Sequence, residues 1–465
     1  MLGTSIRREN TCGLRWWGMP VALLAFGAFF HSPAARAQDL APKHLTARGL
    51  DSGFELSNGT FNGMLAASDG KIYYVLCAEN IDTGAQMYSY EPATDKIEHL
   101  GDLTEASGEK GLKAIPQGKS HVNFVESHGK LYFSTHVDWY SVQSGLELMA
   151  PPPPGYKPYP GGHFLSYDMA SGKFENLAKA PSGQGIISMN MDTQRGRLYG
   201  LTWPSGYFLR YDLKSGELKN LGPLYRDGEN GRWTLRVLCR ALPIDPADGS
   251  VYFTNADGDI LRYRYDRDAI ETVQGDNLRK DYFGTWNPLF GQDMGYGWRQ
   301  ALWYAPENAI YAIHGRSAYL FRFDPRAERV DVLRRIASEP SLRSGMYDDF
   351  HFGYLSFTLG PDGHTLYYLT EGGIVENGKR VVLYETPPGA PAGSSAERVE
   401  DLHLITYDIP AAKYIDHGAV LFSNGGRPGL VNSIAVGKDG STYCITEIPG
   451  EGRRHVDLVR IPPVE

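Results

Sequence analysis

A tight turn followed by a short β-rich run recurs along the whole chain, and this repetition limits the fold more than any other feature. It reads Asp69-Gly70-Lys71-Ile72-Tyr73-Tyr74, His128-Gly129-Lys130-Leu131-Tyr132-Phe133, Arg195-Gly196-Arg197-Leu198-Tyr199 and Asp248-Gly249-Ser250-Val251-Tyr252-Phe253. It returns as Glu307-Asn308-Ala309-Ile310-Tyr311, Asp362-Gly363-His364-Thr365-Leu366-Tyr367-Tyr368 and Asp439-Gly440-Ser441-Thr442-Tyr443. Each Gly or Asn supplies the positive φ that a tight hairpin demands.

A second pattern follows most copies: an alternating strand, an Asp-led turn and a polar strand. Leu165-Ser166-Tyr167-Asp168 leads into Lys173-Phe174-Glu175-Asn176-Leu177 in this way, and Leu209-Arg210-Tyr211-Asp212 and Phe321-Arg322-Phe323-Asp324 are further copies. An apolar run such as Gly185-Ile186-Ile187-Ser188-Met189 precedes each first turn. Each unit therefore has four strands, the innermost most buried. Seven such units without an amphipathic helix predict an all-β chain, a seven-bladed β-propeller of four-stranded antiparallel blades. An eighth, degenerate blade is the competing count. The last unit runs out near Pro463, so a strand from His44 to Leu50 is expected to complete its sheet and protect the edge. The proline-rich run Pro151–Gly162 and the stretch from about 373 to 401 break the rhythm and read as rim loops.

Residues 1–37 read as a cleavable export signal. Arg7, Arg8 and Arg15 precede the apolar stretch Val21–Phe30, and Ala35-Arg36-Ala37 has the small-x-small form of a cleavage site. The mature chain, 38–465, is expected to be one propeller domain, periplasmic or secreted, with no membrane span. Losing Arg7, Arg8, Arg15, Arg36 and Glu9 moves the formal charge from −8 to −11. Nucleic acid is excluded on that balance, because phosphate binding needs a basic face. An acidic polysaccharide requires a local cluster of Arg, Lys and His. Cys77, Cys239 and Cys444 are too few for a disulfide framework, so the fold must stand on its core.

Aligning the units isolates unusual strand-end residues. Five positions before the Asp that ends the third strand stand His163, Tyr207, Tyr319 and His403. Nine before the hairpin Gly or Asn stand Arg240 and Arg299, with His121 one residue nearer its own turn. His136 follows Gly129 by seven. Strand ends on one face of a propeller surround its central funnel. Each residue also has a plainer reading: Tyr as core filling, His as a structural hydrogen-bonding group, Arg240 as half of an ion pair.

Gly162-His163-Phe164-Leu165-Ser166-Tyr167-Asp168, Thr135-His136-Val137 and Leu201-Thr202-Trp203-Pro204-Ser205-Gly206-Tyr207 resemble the seven-bladed propeller polysaccharide lyases, the ulvan lyases and those that cut a rhamnose–glucuronate linkage. That family uses His, His, Tyr and Arg in this chain order. The resemblance implies His136, His163, Tyr207 and Arg240 as catalytic residues, with a longer insert before Arg240. His121, Arg299, Tyr319 and His403 are expected to bind substrate. Some ulvan lyases carry a His/Cys zinc site beyond the Arg; Phe253–Asp259 offers no His or Cys there, so no such site is expected. Cys239 with His314 or His351 has no diagnostic metal spacing.

The chemistry suits these residue types. A lyase removes the C5 proton of a uronic acid and expels the oxygen at C4. Arg neutralises the carboxylate that otherwise opposes C5 deprotonation, a base takes the proton and an acid protonates the leaving oxygen. Tyr207 serves as a base only if cations depress its pKa from about 10. No cofactor is required. The expectation is a monomeric lyase acting on an acidic polysaccharide. The rival class is a non-catalytic propeller that binds a glycan or a protein. A hydrolase or lactonase that assembles carboxylates round a metal is the third, and no such carboxylate cluster stands out.

Overall fold

Short alternating strands joined by left-handed turns give a nearly all-β, propeller-like architecture in the computed structural model. The structure describes residues 44–61, 63–143, 146–224, 238–280, 296–314, 317–344, 356–370, 374–376, 379–381, 401–450 and 455–464. The export signal expected at 1–37 lies outside them, as do His351 and most of the stretch from 373 to 401. The described strands all belong to the compact unit Pro42–Glu465.

The repeated turns carry the backbone that their residues suggest. Gly129 has φ 74°, and the one non-glycine of the series, Asn308, sits at φ 47° in the left-handed region that Asn tolerates. In the first sheet, strands Met64–Ala66, Ile72–Leu76, Gln86–Glu91 and Lys96–Asp102 lie side by side in chain order, each antiparallel to the next. The second sheet repeats this with Val125–Ser127, Lys130–Ser134, His163–Asp168 and Lys173–Lys179. The third does so with Gly185–Asp192, Arg197–Trp203, Tyr207–Asp212 and Glu217–Pro223. A later sheet has Trp298–Tyr304, Ala309–His314, Tyr319–Asp324 and Arg329–Arg335. Burial follows strand order: Gly185–Asp192 is almost wholly buried, and Glu217–Pro223 is exposed or half-buried throughout.

Two units depart from the expected four strands. Among the described residues between the third sheet and the one opened by Trp298–Tyr304, Val251–Thr254, Ile260–Arg264 and Ala269–Thr272 form the ladder. The segment before them contributes the single bridge Ile244–Val251, because Pro243 and Pro246 lack the N–H groups that a ladder needs. The last two units are fused into one eight-stranded sheet. The strand His44–Gly49 joins them: it runs parallel to Ala419–Phe422 and antiparallel to Val459 and Arg460. The expected completion of the final sheet by the segment from His44 is thus present, with a second partner that the repeat pattern did not suggest.

Successive sheets meet through buried aromatic pairs. Tyr73 packs on Tyr167 at 6.1 Å, Phe164 on Tyr211 at 6.4 Å, Phe208 on Phe253 at 5.1 Å and Tyr252 on Phe323 at 5.8 Å. The series comes back on itself where Tyr90 of the first sheet meets Tyr443 of the last at 5.9 Å. Each such pair adds about 0.5–1.5 kcal/mol beyond its area burial. Cys77, Cys239 and Cys444 are buried, and none of the three is in a disulfide. The proline-rich run is not a simple rim loop, because Tyr159 within it is fully buried and donates to Gln117 Oε1 at 2.6 Å.

Candidate functional site

The ends of the inner strands bring five cationic or imidazole side chains into one buried neighbourhood. Lys119 and His121 precede the strand Val125–Ser127, and Arg240 precedes Val251–Thr254. Arg299 is the second residue of Trp298–Tyr304. His136 follows Lys130–Ser134, and its backbone pairs with that of Lys119 in both directions, N to O at 2.8 and 3.1 Å. The side chains are 0 % exposed at His136, 3 % at His121, 1 % at Lys119 and 7 % at Arg240.

Their contacts fix their chemistry. Arg240 Nη1 donates toward the His121 ring, 3.3 Å from Nδ1. The two imidazoles meet edge to face with centroids 5.7 Å apart, and Trp203 lies 5.7 Å from His136. His136 Nδ1 donates to the Val137 carbonyl at 2.7 Å, which assigns the proton to Nδ1 and leaves the lone pair on Nε2. That Nε2 is buried and has no hydrogen-bond partner. The Tyr140 hydroxyl donates to the same carbonyl at 2.9 Å and lies 3.3 Å from His136 Nδ1. Gly185 makes room for the imidazole, since a Cβ there would stand 2.8 Å from His136 Cδ2.

Both imidazoles hold protons less readily than a free His. Burial is the largest cause at each. At His136 the Lys119 charge follows and outweighs the help of the Val137 carbonyl, with Arg240 adding to it. At His121 the charges of Arg240, Lys119, His136 and Arg299 follow in that order. A neutral imidazole beside a permanent guanidinium is the pairing that deprotonation next to a carboxylate calls for.

His163 has a different setting. Its Nε2 meets Glu109 Oε1 and its Nδ1 meets Asn176 Oδ1, each at 2.9 Å. Asn176 Nδ2 donates to the Ser107 carbonyl, so the oxygen is the atom that faces the ring. Both ring nitrogens of His163 thus face acceptor oxygens, one of them a buried carboxylate. Glu109 in turn accepts from Gln117 Nε2 at 2.8 Å and borders a cavity of about 330 Å³ with Asp82, Asp102 and Tyr156. His403 is held similarly, with Nδ1 2.8 Å from Asp416 Oδ1. Tyr319 lies under the Arg335 guanidinium at 4.5 Å.

Tyr207 begins the strand Tyr207–Asp212, its amide donates to Thr202 Oγ1 at 3.0 Å, and its ring packs on the apolar cluster of the first three sheets. The phenol whose oxygen reaches His136 is Tyr140. The structure therefore brings together His136, His121 and Arg240 of the expected residues, with Arg299 in electrostatic range of His121. It holds His163, Tyr207, Tyr319 and His403 in other surroundings. Cys239 Sγ donates to the Ala241 carbonyl at 3.2 Å, and His314 Nδ1 meets Ser317 Oγ at 2.8 Å.

Sequence reasoning missed Lys119 and Tyr140. Lys119 stands two residues before His121 in Gly118-Lys119-Ser120-His121, and Tyr140 four after His136. A second basic residue two positions from His121 was the available signal for Lys119. Arg240 also borders a cavity of about 360 Å³ between the inner strands, walled by Val122–Val125, Met189–Gln194, Arg240–Ile244 and Gln300–Trp303.

No protein-family profile and no curated protein sequence matches the chain. Among solved structures, it is similar to the mitotic checkpoint complex, with TM-score 0.47, 10% identity, and coverage of 96% of this chain and 100% of that one. A puromycin-hydrolyzing peptidase of Mycobacterium tuberculosis gives TM-score 0.49 at 11% identity, over 90% of this chain and 54% of that one. A Bacteroides uniformis protein assigned as a 6-phosphogluconolactonase gives 0.41 at 10%, over 78% and 86%. No activity is carried over from any of them.

Proposed function

We propose that this chain is an exported polysaccharide lyase built on seven blades, cleaving a uronic-acid-containing glycan of the ulvan or rhamnose–glucuronate type by β-elimination. One observation carries the reading: the partnerless Nε2 of His136 lies buried in the same cluster as the Arg240 guanidinium and neutral His121. Arg240 takes the uronate carboxylate, steadied by His121, and lowers the cost of carbanion character at C5. His136 Nε2 receives the C5 proton. The C4–O bond breaks as the C4–C5 double bond forms, and the leaving oxygen takes a proton from the Tyr140 hydroxyl. Water is not consumed. Because the group is almost wholly buried, substrate reaches it only when covering side chains such as Phe61, packed on His121 with ring centroids 4.3 Å apart, move aside.

That burial is also the observation that favours the rival, a non-catalytic propeller in which the cluster is structural. Ultraviolet absorbance of the unsaturated uronate decides between them. The purified chain is screened against uronic-acid polysaccharides, and a rising signal that Arg240→Ala abolishes supports the lyase. Glycan binding without that signal, on every polymer tried, overturns it in favour of the rival.

A further inference from the structure

Lys119 is a lysine with almost no contact with water, and its ammonium group meets one carboxylate and two aromatic rings. Nζ donates to Asp138 Oδ1 at 2.9 Å, stands 3.9 Å over the Phe61 ring and 4.4 Å over the Tyr140 ring. A buried ammonium is costly unless it is paired, and a carboxylate with two aromatic faces meets that need. Its main chain is locked to that of His136 by the paired backbone bonds. The charge is thus held at a fixed place, between the Phe61 ring that packs on His121 and the Tyr140 ring whose hydroxyl lies 3.3 Å from His136 Nδ1.

We propose that Lys119 is the positioning residue of this site, a fixed buried cation that keeps protons off His136 and His121 so that His136 Nε2 stays ready to accept one. Its catalytic meaning rests on the lyase reading, but its effect on the two rings does not. The groups that face His136 are Lys119, Arg240, His121 and Tyr140; those that face His121 are Arg240, Lys119, His136 and Arg299. Lys119 is the largest charge acting on His136 and the second on His121, and both effects lower proton affinity. Arg240, the other shared cation, is the group that must turn to a substrate carboxylate, and that pairing would weaken its own hold on the rings. Lys119 is the charge left to keep them neutral at that moment.

The test is histidine-selective NMR titration of the full chain and of Lys119→Met and Lys119→Arg. Lys119→Met should raise the titration midpoints of His136 and His121 by about one pH unit or more, the size of a near charge. Lys119→Arg should leave them near wild type. Where Lys119→Met does not fold, Lys119→Met with Asp138→Asn removes both buried charges and is expected to show a smaller rise in the same direction, because the carboxylate that favours protonation is gone as well. Midpoints that stay put in a folded charge-removed variant overturn the inference, whatever the activity. A shift in midpoints on a chain that releases no unsaturated uronate keeps Lys119 in this role and removes the lyase reading. On an active chain, the acid limb of kcat/KM should move upward with the midpoints, which a purely structural lysine would not cause.

Discussion

His136 and Val137 are joined by a hydrogen bond from the imidazole Nδ1 to the next residue's carbonyl, 2.7 Å long, and this local bond decides which nitrogen can act as a base. The Tyr140 hydroxyl shares the same acceptor. One peptide oxygen thereby orients both the imidazole and the phenol.

This geometry sets two phenols against each other. Tyr140→Phe removes the hydroxyl but keeps the ring under Lys119, so turnover should fall by about 10²–10⁴-fold, the worth of a general acid or base. Tyr207→Phe should retain most activity. Steady-state kinetics on both variants settles the matter, and the reverse ranking would return the proton transfer to Tyr207.

The guanidinium should not be replaceable by an ammonium. Arg240→Lys keeps the charge but loses the planar fork that reaches His121 and a carboxylate together. We expect kcat/KM to fall by about 10²–10³-fold. An Arg240→Lys protein with near-normal kcat/KM would count against the assignment.

Gly185→Ala offers a test that alters no polar group. The new Cβ collides with the His136 ring, which must shift. Misplacement of a reacting group by about 1 Å costs about 10²-fold in rate. Turnover should drop while circular dichroism stays unchanged, and a fully active variant would mean that the position of His136 is immaterial.

Stability should fall on mild acidification. His121 and His136 bind protons less readily folded than unfolded, so the unfolded chain takes up more protons once pH drops below the ordinary His value of about 6.5. Each contributes up to about 1.4 kcal/mol of lost stability per pH unit between that value and its own depressed one. Melting temperatures from about pH 7.5 down to about 5.5 should decline, and Lys119→Met should flatten the decline. Asp457, raised by burial, titrates with the opposite sign: it favours the folded state more as pH falls toward its unfolded value of about 4, and works against the decline.

The N-terminal segment is pinned by Asp457. Its carboxylate accepts from the Ser52 amide at 2.7 Å and the Ser52 hydroxyl at 2.6 Å, with no exposure to water. Asp457→Ala should cost about 1.5–3 kcal/mol, typical of buried bonds to a charged group. An unchanged denaturant midpoint would show that the segment is held elsewhere.

Turn chemistry and strand alternation are local, which is why the hairpins and strand order could be read from residues such as Gly129 and Asn308. The same alignment picked out His163 and His403 for a structural reason. Each begins a third strand and bonds to a residue thirteen positions on, Asn176 and Asp416, as Gln86 does to His99. These are recurring corner contacts between the third and fourth strands, and a repeated position looks like a motif whether or not it touches substrate. Lys119 was hidden for the opposite reason. It stands on the same hairpin as His136 and Asp138, ten residues before Gly129, and nothing in the turn spacing marks a side-chain bond across that hairpin. The link from His163 to Glu109 spans 54 residues and left no trace in the spacing either.

The strand His44–Gly49 has one further implication, for timing. Both of its neighbours, Ala419–Phe422 and Val459–Arg460, come from the far end of the chain. A ribosome that makes this protein from its N-terminus releases that strand long before either partner. Through almost the whole of delivery the strand has nothing to pair with, and the final sheet stays one strand short. The closing sheet must wait until Val459 and Arg460 have emerged, and whatever keeps the early segment from pairing with the wrong edge must act for that long.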